Sequence, residues 1–184
     1  MRLAEPRIPP VDDDETLDDE AREVLTRASL GPAVNIFRTL AHHPKLLKRW
    51  LVFANHVLFK SSLPARDREL VILRTGWLCR AEYEWGQHVI IGRASGISDE
   101  EIGRITHGPD DPGWDPFDVA LLRTADELHA DSFVSDETWK TLGERYSTEQ
   151  LMDVVFAIGQ YTLVSMALNT LGVQLDPGVG GFPE

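Results

Sequence analysis

The chain has 184 residues, 42% of them hydrophobic and 26% charged, with a formal net charge of −12, which is the make-up of one globular domain able to bury its own core. So acidic a surface repels phosphate backbones, and nucleic acid is not an expected partner. A lone cysteine, Cys79, excludes an intrachain disulfide; with no signal-like apolar run at the start and no stretch of 18 apolar residues, the expected setting is cytoplasmic, reducing and away from membranes.

Residues 1–15 carry Pro6, Pro9 and Pro10 and then Asp12, Asp13, Asp14 and Glu15. They read as an extended acidic arm ahead of a single helical domain over 16–175, with 176–184 as an irregular tail. A first helix is expected over about 17–28, stopping before Gly31-Pro32, and a second over about 33–41. Pro44 suits the first turn of a third helix. In that helix Leu47, Trp50, Leu51, Ala54, Val57 and Leu58 recur at three and four residues and mark a buried stripe.

After the SSLP break, where Ser61 or Ser62 can cap and Pro64 suits a first turn, a long helical region runs over about 65–94, divided at Gly76 or just beyond it. Gly96 ends it, and Ser98 with Glu101 forms a capping box for the next helix. HGPDDPGWDP reads as a loop. Helices follow over about 118–130 and from Ser135 to about 145. A second capping box, Ser147 with Gln150, opens an apolar helix that ends near Gly172. No segment alternates with period two between turns, so the fold class is all-α.

Chemistry concentrates in LCRAEYEWGQH, residues 78–88. Glu84 and His88 are four apart and share a helical face, with Tyr83 and Trp85 flanking it. If the chain folds back near 77–80, Glu69 reaches His88. A histidine, two carboxylates and a phenol then meet in one cleft, a set suited to proton transfer: the imidazole titrates near neutrality, and a carboxylate fixes its tautomer. The same i,i+4 pair also occurs as a plain helix stabiliser.

Glu-x-x-x-His offers two metal ligands where a catalytic zinc takes three, and H-E-x-x-H is absent, so no metal is expected. Cys79 reads either as a small buried residue or as a redox thiol. Arg74 and Arg80 are the nearest cations for a substrate carboxylate, although Arg74 can equally pair with an acidic neighbour. Tyr161, a polar group in an apolar helix, either lines the cleft or bonds a carbonyl. His42, His43 and His129 sit late in their helices, where positive charge is favoured. Trp50, Trp114 and Trp139 read as packing or interface residues.

The stretch LPARDRELVILRTGWLCRAEYEWGQHVIIGRASGISDEEI resembles the carboxymuconolactone decarboxylase family, which also includes the alkylhydroperoxidase D proteins. The flanks AVNIFRTLAHHPKLLKRW and ALLRTADELHADSFVSDETW look like its longer single-chain members. The resemblance implies an alkylhydroperoxidase D-like helical bundle, a homo-oligomer (trimer, hexamer or dimer), and a cleft where Glu69 and His88 meet. In the peroxidase branch two cysteines precede that histidine; the matching positions here are Ala81 and Glu84, so a dithiol mechanism is not implied. The decarboxylase branch implies a cofactor-free lyase acting on a small carboxylated or lactone substrate. There His88 is the acid/base, Glu69 its orienter, Glu84 a second proton carrier and Tyr83 a donor, with Arg74, Arg80, Trp85 and Tyr161 toward the substrate. A Cys79 redox protein and a non-catalytic oligomeric protein are the alternatives.

Overall fold

The computed structural model describes residues 2–11, 19–28 and 34–183; the acidic run at 12–15 and the Gly31-Pro32 stop lie outside the described residues. Among the described residues every regular element is a helix: α1 (Asp19–Ala28), α2 (Asn35–Leu40), α3 (Pro44–Phe59), α4 (Ala65–Leu78), α5 (Glu82–Ala94), α6 (Asp99–His107), α7 (Pro116–Asp131), α8 (Asp136–Gly143) and α9 (Thr148–Leu171).

Helix α4 is the axis of the molecule and packs against α5, α6, α7 and α9. Its run Leu70, Val71, Ile72 and Leu73 is fully buried. Four consecutive apolar residues point in every direction around a helix, and such a helix is stable only when surrounded. Leu121, Leu122, Val154, Ala157 and Ile158 from α7 and α9 close the core around it. On α3 a narrower stripe is buried, Leu47, Leu51 and Val57, and Leu47 and Leu51 join Leu25 and Ala41 in a second cluster.

Both capping boxes form. Ser98 accepts from the Glu101 N–H, and Ser147 from that of Gln150, and each partner side chain reaches back to its cap. The start of α4 differs from expectation: Pro64 is the cap residue itself, while Ser61 and Ser62 donate to Asp153 at 3.2 and 2.7 Å. His43 likewise opens α3 as its N-cap, accepting from the Leu46 N–H, and does not close α2.

The long helical region breaks at Cys79–Ala81, not at Gly76, which lies inside α4 where α5 passes close: a Cβ there would stand 3.7 Å from the Glu84 side chain. The reversal is made by Arg80, whose φ of 50° is left-handed, and is closed by the Ala81 N–H on the Gly76 carbonyl at 2.8 Å. This turn lays α5 back along α4.

Residues 173–183 are irregular but tightly held. Asp176 accepts from the Asn35 N–H, the Tyr83 hydroxyl and the Gln87 amide at 2.9, 2.6 and 2.7 Å. Phe182 packs on Trp77 and Trp85. Gly86 must be glycine here, because a Cβ would collide with the Gly180 carbonyl. Helix α9 has the length and mean hydropathy, 1.6, of a membrane span, while 44% of that window is buried inside the fold.

Candidate active site

The fold-back of α5 on α4 brings Glu69, Glu84 and His88 into one cluster. Glu69 lies one turn into α4. Its Oε2 is 2.6 Å from His88 Nδ1. On the other side of the ring, Nε2 is 2.9 Å from Glu84 Oε1, one turn earlier on α5. The imidazole is thus gripped through both nitrogens, which fixes its plane and, when it is protonated, satisfies both N–H donors. The side chains are 0%, 6% and 6% exposed for Glu69, Glu84 and His88. Tyr161 from α9 stands edge-on to the ring, 4.7 Å between centroids.

Burial alone would lower the pKa of His88. The two carboxylates outweigh it and push the value up to about 10. The ring therefore carries its proton at neutrality. Burial, and then the charges of Glu84 and Glu69, hold the Tyr161 phenol well above the usual tyrosine range, so it stays a neutral O–H donor.

One member of the cluster is not found by reading the segment at 78–88. Arg68, beside Glu69 in sequence, donates from Nε to Glu69 Oε1 at 3.0 Å, with its side chain only 12% exposed. No described residue accepts from its two terminal nitrogens, and solvent reaches both. Counting both carboxylates as charged, Arg68 and protonated His88 balance Glu69 and Glu84. The cluster is then neutral, which is what allows four ionisable groups to share a buried site. The available signal was the Arg68-Glu69 pair itself: adjacent helical residues normally diverge, and only the long, forked guanidinium bridges that divergence.

The other sequence-derived candidates lie elsewhere. Arg74 is buried and spends its donors on Asp126, at 2.6 and 2.9 Å, and on the carbonyls of Ile105 and Thr106. Four of its five N–H donors are thus placed on protein acceptors and the side chain is buried among α6 and α7, so it serves docking of the helices and not substrate, which corrects its expected role. Arg80 is exposed on the α4–α5 turn. Tyr83 donates to Asp176, and burial together with that bond raises its pKa; it ties the C-terminal segment to α5 and is not the fourth member of the cluster. Trp85 is core, packed between Trp77 and Phe182. Cys79 closes α4 and is half-buried, its Sγ 3.7 Å from His129 Nδ1. Burial pushes that thiol's pKa up, opposite to what a reactive thiolate needs.

Residues 44–127 match the model of the carboxymuconolactone decarboxylase family. No curated protein sequence matches the chain. Among solved structures, an uncharacterized peroxidase-related protein from Ralstonia eutropha JMP134 with an alkylhydroperoxidase AhpD core superposes with a TM-score of 0.81 at 22% identity, over 95% of each chain. One from Silicibacter sp. TM1040 gives 0.80 at 14% identity, over 96% of this chain and 97% of that one. The debrominase Bmp8 gives 0.70 at 11% identity, over 92% of each. At these identities the superpositions establish a shared alkylhydroperoxidase D-like helical fold.

Proposed function

We propose, from the match of residues 44–127 to the carboxymuconolactone decarboxylase family, that the chain is a lyase that removes carbon dioxide from a small carboxylated metabolite by proton transfer, using its own side chains. The observation behind this reading is the imidazole held between two buried carboxylates with a half-satisfied guanidinium beside it.

Each group has a role its geometry suits. The open N–H groups of Arg68 supply the local positive charge that an anionic substrate needs on so acidic a protein. As the carbon–carbon bond to the leaving carboxylate breaks, the electron pair moves into a conjugated carbonyl, and Arg68 stabilises the resulting enolate oxygen. The protonated His88 returns one proton to carbon, directly or through Glu84, and solvent restores it; the sum is one carboxylate and one proton consumed, one carbon dioxide released. Glu69, sealed from solvent, keeps the ring oriented. Tyr161 contributes a neutral hydrogen-bond donor on the same side as the ring edge.

The test is carbon dioxide release from a panel of small lactone and β-keto acids by wild type and His88→Gln. Loss of turnover in the variant, with the fold intact, supports the reading; equal turnover removes His88 from the mechanism.

A second reading has one observation in its favour, the 3.7 Å approach of the Cys79 thiol to the His129 ring. Thiol chemistry there reduces a hydroperoxide at the cost of an external thiol, since the chain holds no second cysteine. Cys79→Ala abolishes hydroperoxide turnover on this reading and leaves carbon dioxide release untouched on the first.

A further inference from the structure

The charge of this chain is unevenly placed. Between Glu23 and Asp67 it has no side-chain carboxylate and seven of its 18 arginines and lysines; the remaining residues hold the other 11 cations and all 30 carboxylates. Three of its four lysines, Lys45, Lys48 and Lys60, fall in or beside α3, which itself contains no acidic residue. The structure turns this segregation into a surface. Lys45, Lys48, Arg49 and Lys60 are exposed, and among the described residues no carboxylate pairs with any of the four. Arginines on other helices do find acids: Arg66 meets Asp118 and Glu101, Arg93 meets Asp99, and Arg123 meets Asp110.

The same face is also apolar. Val52 and Phe59 are 75% and 72% exposed, and Val52 follows Lys45, Lys48 and Arg49 at seven, four and three residues, with Phe59 a further seven on. Those intervals put all five on the outward side of the helix, while Leu47, Leu51 and Val57 are buried on the other. Lys45, Lys48, Arg49 and Val52 line a shallow concavity of about 390 Å³. Along one edge the Phe53 ring meets that of Phe156 of α9 edge-on at 6.1 Å, which extends the apolar part of the face onto a second helix. At that edge Asp153 accepts from Ser61 and Ser62 and lies 3.9 Å from His56.

We propose that the outer face of α3 docks on a bilayer containing acidic phospholipids, with the helix lying flat along the headgroups. The charged ends of Lys45, Lys48, Arg49 and Lys60 meet the lipid phosphates, their aliphatic stems lie along the helix, and Val52 and Phe59 enter the acyl boundary. The occupant has to offer dense negative charge and apolar depth together. A nucleic acid offers the charge and would leave Val52 and Phe59 in water. A second copy presenting the same face would set cation against cation. The acid-rich remainder of the chain is repelled by the same membrane and so orients the molecule with α3 inward. The lack of an 18-residue apolar run bears on crossing a bilayer and not on lying against one, so this proposal replaces the expectation of a setting away from membranes. The face is separate from the Glu69–His88–Glu84 cluster, and the assignment stands whether or not that cluster is catalytic.

Flotation of the full chain with vesicles tests this. The chain is expected to float with vesicles of equal parts phosphatidylglycerol and phosphatidylcholine, to stay behind with phosphatidylcholine alone, and to be released by salt, which shortens the reach of charge to about 3 Å at roughly 1 M. Each cation near an acidic surface is worth roughly five-fold in affinity. Lys45→Gln with Lys48→Gln is therefore expected to weaken binding about 25-fold, and Lys45→Glu, Lys48→Glu and Arg49→Glu together about 100-fold or more. Val52→Ser with Phe59→Ser weakens it about 10-fold and keeps its dependence on salt. All these positions are exposed, so the Tm stays where it was, and Lys140→Glu on α8 leaves binding unchanged. In a Cys79→Ala background, a bimane label on Phe59→Cys shifts to the blue on acidic vesicles. The proposal is overturned if the chain ignores acidic vesicles, floats equally with phosphatidylcholine alone, binds undiminished in the glutamine and glutamate variants, or shows no bimane shift. Duplex DNA bound as tightly as acidic vesicles would give the face to nucleic acid, and a lower mass of the glutamate variant by light scattering would give it to a second copy; either result also overturns it.

Discussion

Two arginines on α4, six residues apart, show how a buried cation is used in two different ways. Arg74 is engaged at all three nitrogens: Asp126 takes it bidentately and two backbone carbonyls take the remaining terminal nitrogen. Arg68 is nearly as sunken, but only its Nε is matched, and its terminal nitrogens face solvent beside a protonated histidine. A fully paired buried charge fixes how helices dock and has nothing left to give. A half-paired one retains donors that a ligand can complete. Satisfied capacity reads as architecture and unsatisfied capacity as function, although both residues look alike in the sequence.

The contrast can be broken at its strongest point first. His88→Ala removes the cation between Glu69 and Glu84 and leaves two carboxylates facing each other in the interior; a loss of about 3–5 kcal/mol of stability is expected in urea unfolding, with turnover abolished. A loss under about 1 kcal/mol would mean that the cluster is hydrated and loosely held.

The pH dependence sharpens the same point without mutating the charge. The folded pKa of His88, about 10, lies above its ordinary value near 6.5. Its stabilisation is therefore complete below about pH 6.5 and is lost as pH rises through about 10, with a slope of at most about 1.4 kcal/mol per pH unit. In His88→Gln that alkaline slope disappears. A slope that persists in the variant belongs to another group.

Arg74→Gln is expected to cost about 2–4 kcal/mol, by stranding Asp126 and two carbonyls, and to lower activity only in proportion to the folded fraction. Arg68→Gln is expected to do the reverse. It costs about 1–2 kcal/mol of stability but lowers kcat/KM for an anionic substrate about 10- to 100-fold, through a higher KM and a lower kcat together, because the same guanidinium binds the anion and stabilises the enolate. If the two variants behave alike, the distinction drawn between them is wrong. The smallest effect is expected at Cys79→Ala: a change in Tm equivalent to about 1 kcal/mol or less, and no change in carbon dioxide release.

Much of this molecule is written locally in its chain. Caps and stops such as Ser98, Gly96 and Ser147 act over three or four residues, so the helix ends they set are legible without the fold. The Glu84–His88 contact is equally local, one turn of one helix. Arg80 shows the limit: nothing in its side chain announces a left-handed residue, and the turn it makes follows from the two helices on either side needing to pack.

What the sequence by itself determined is the all-α architecture, the order of the helices and the pair of groups on one face of α5, because hydrophobic period and capping chemistry are short-range. Only the tertiary structure decided that Glu69 completes the grip on His88, that Arg68 and not Arg74 keeps open donors, and that the cations of α3 are left without acidic partners. Each of those depends on which groups from distant segments satisfy one another in the interior. Pairing of that kind is settled by packing, where a few ångströms separate a spent donor from a free one.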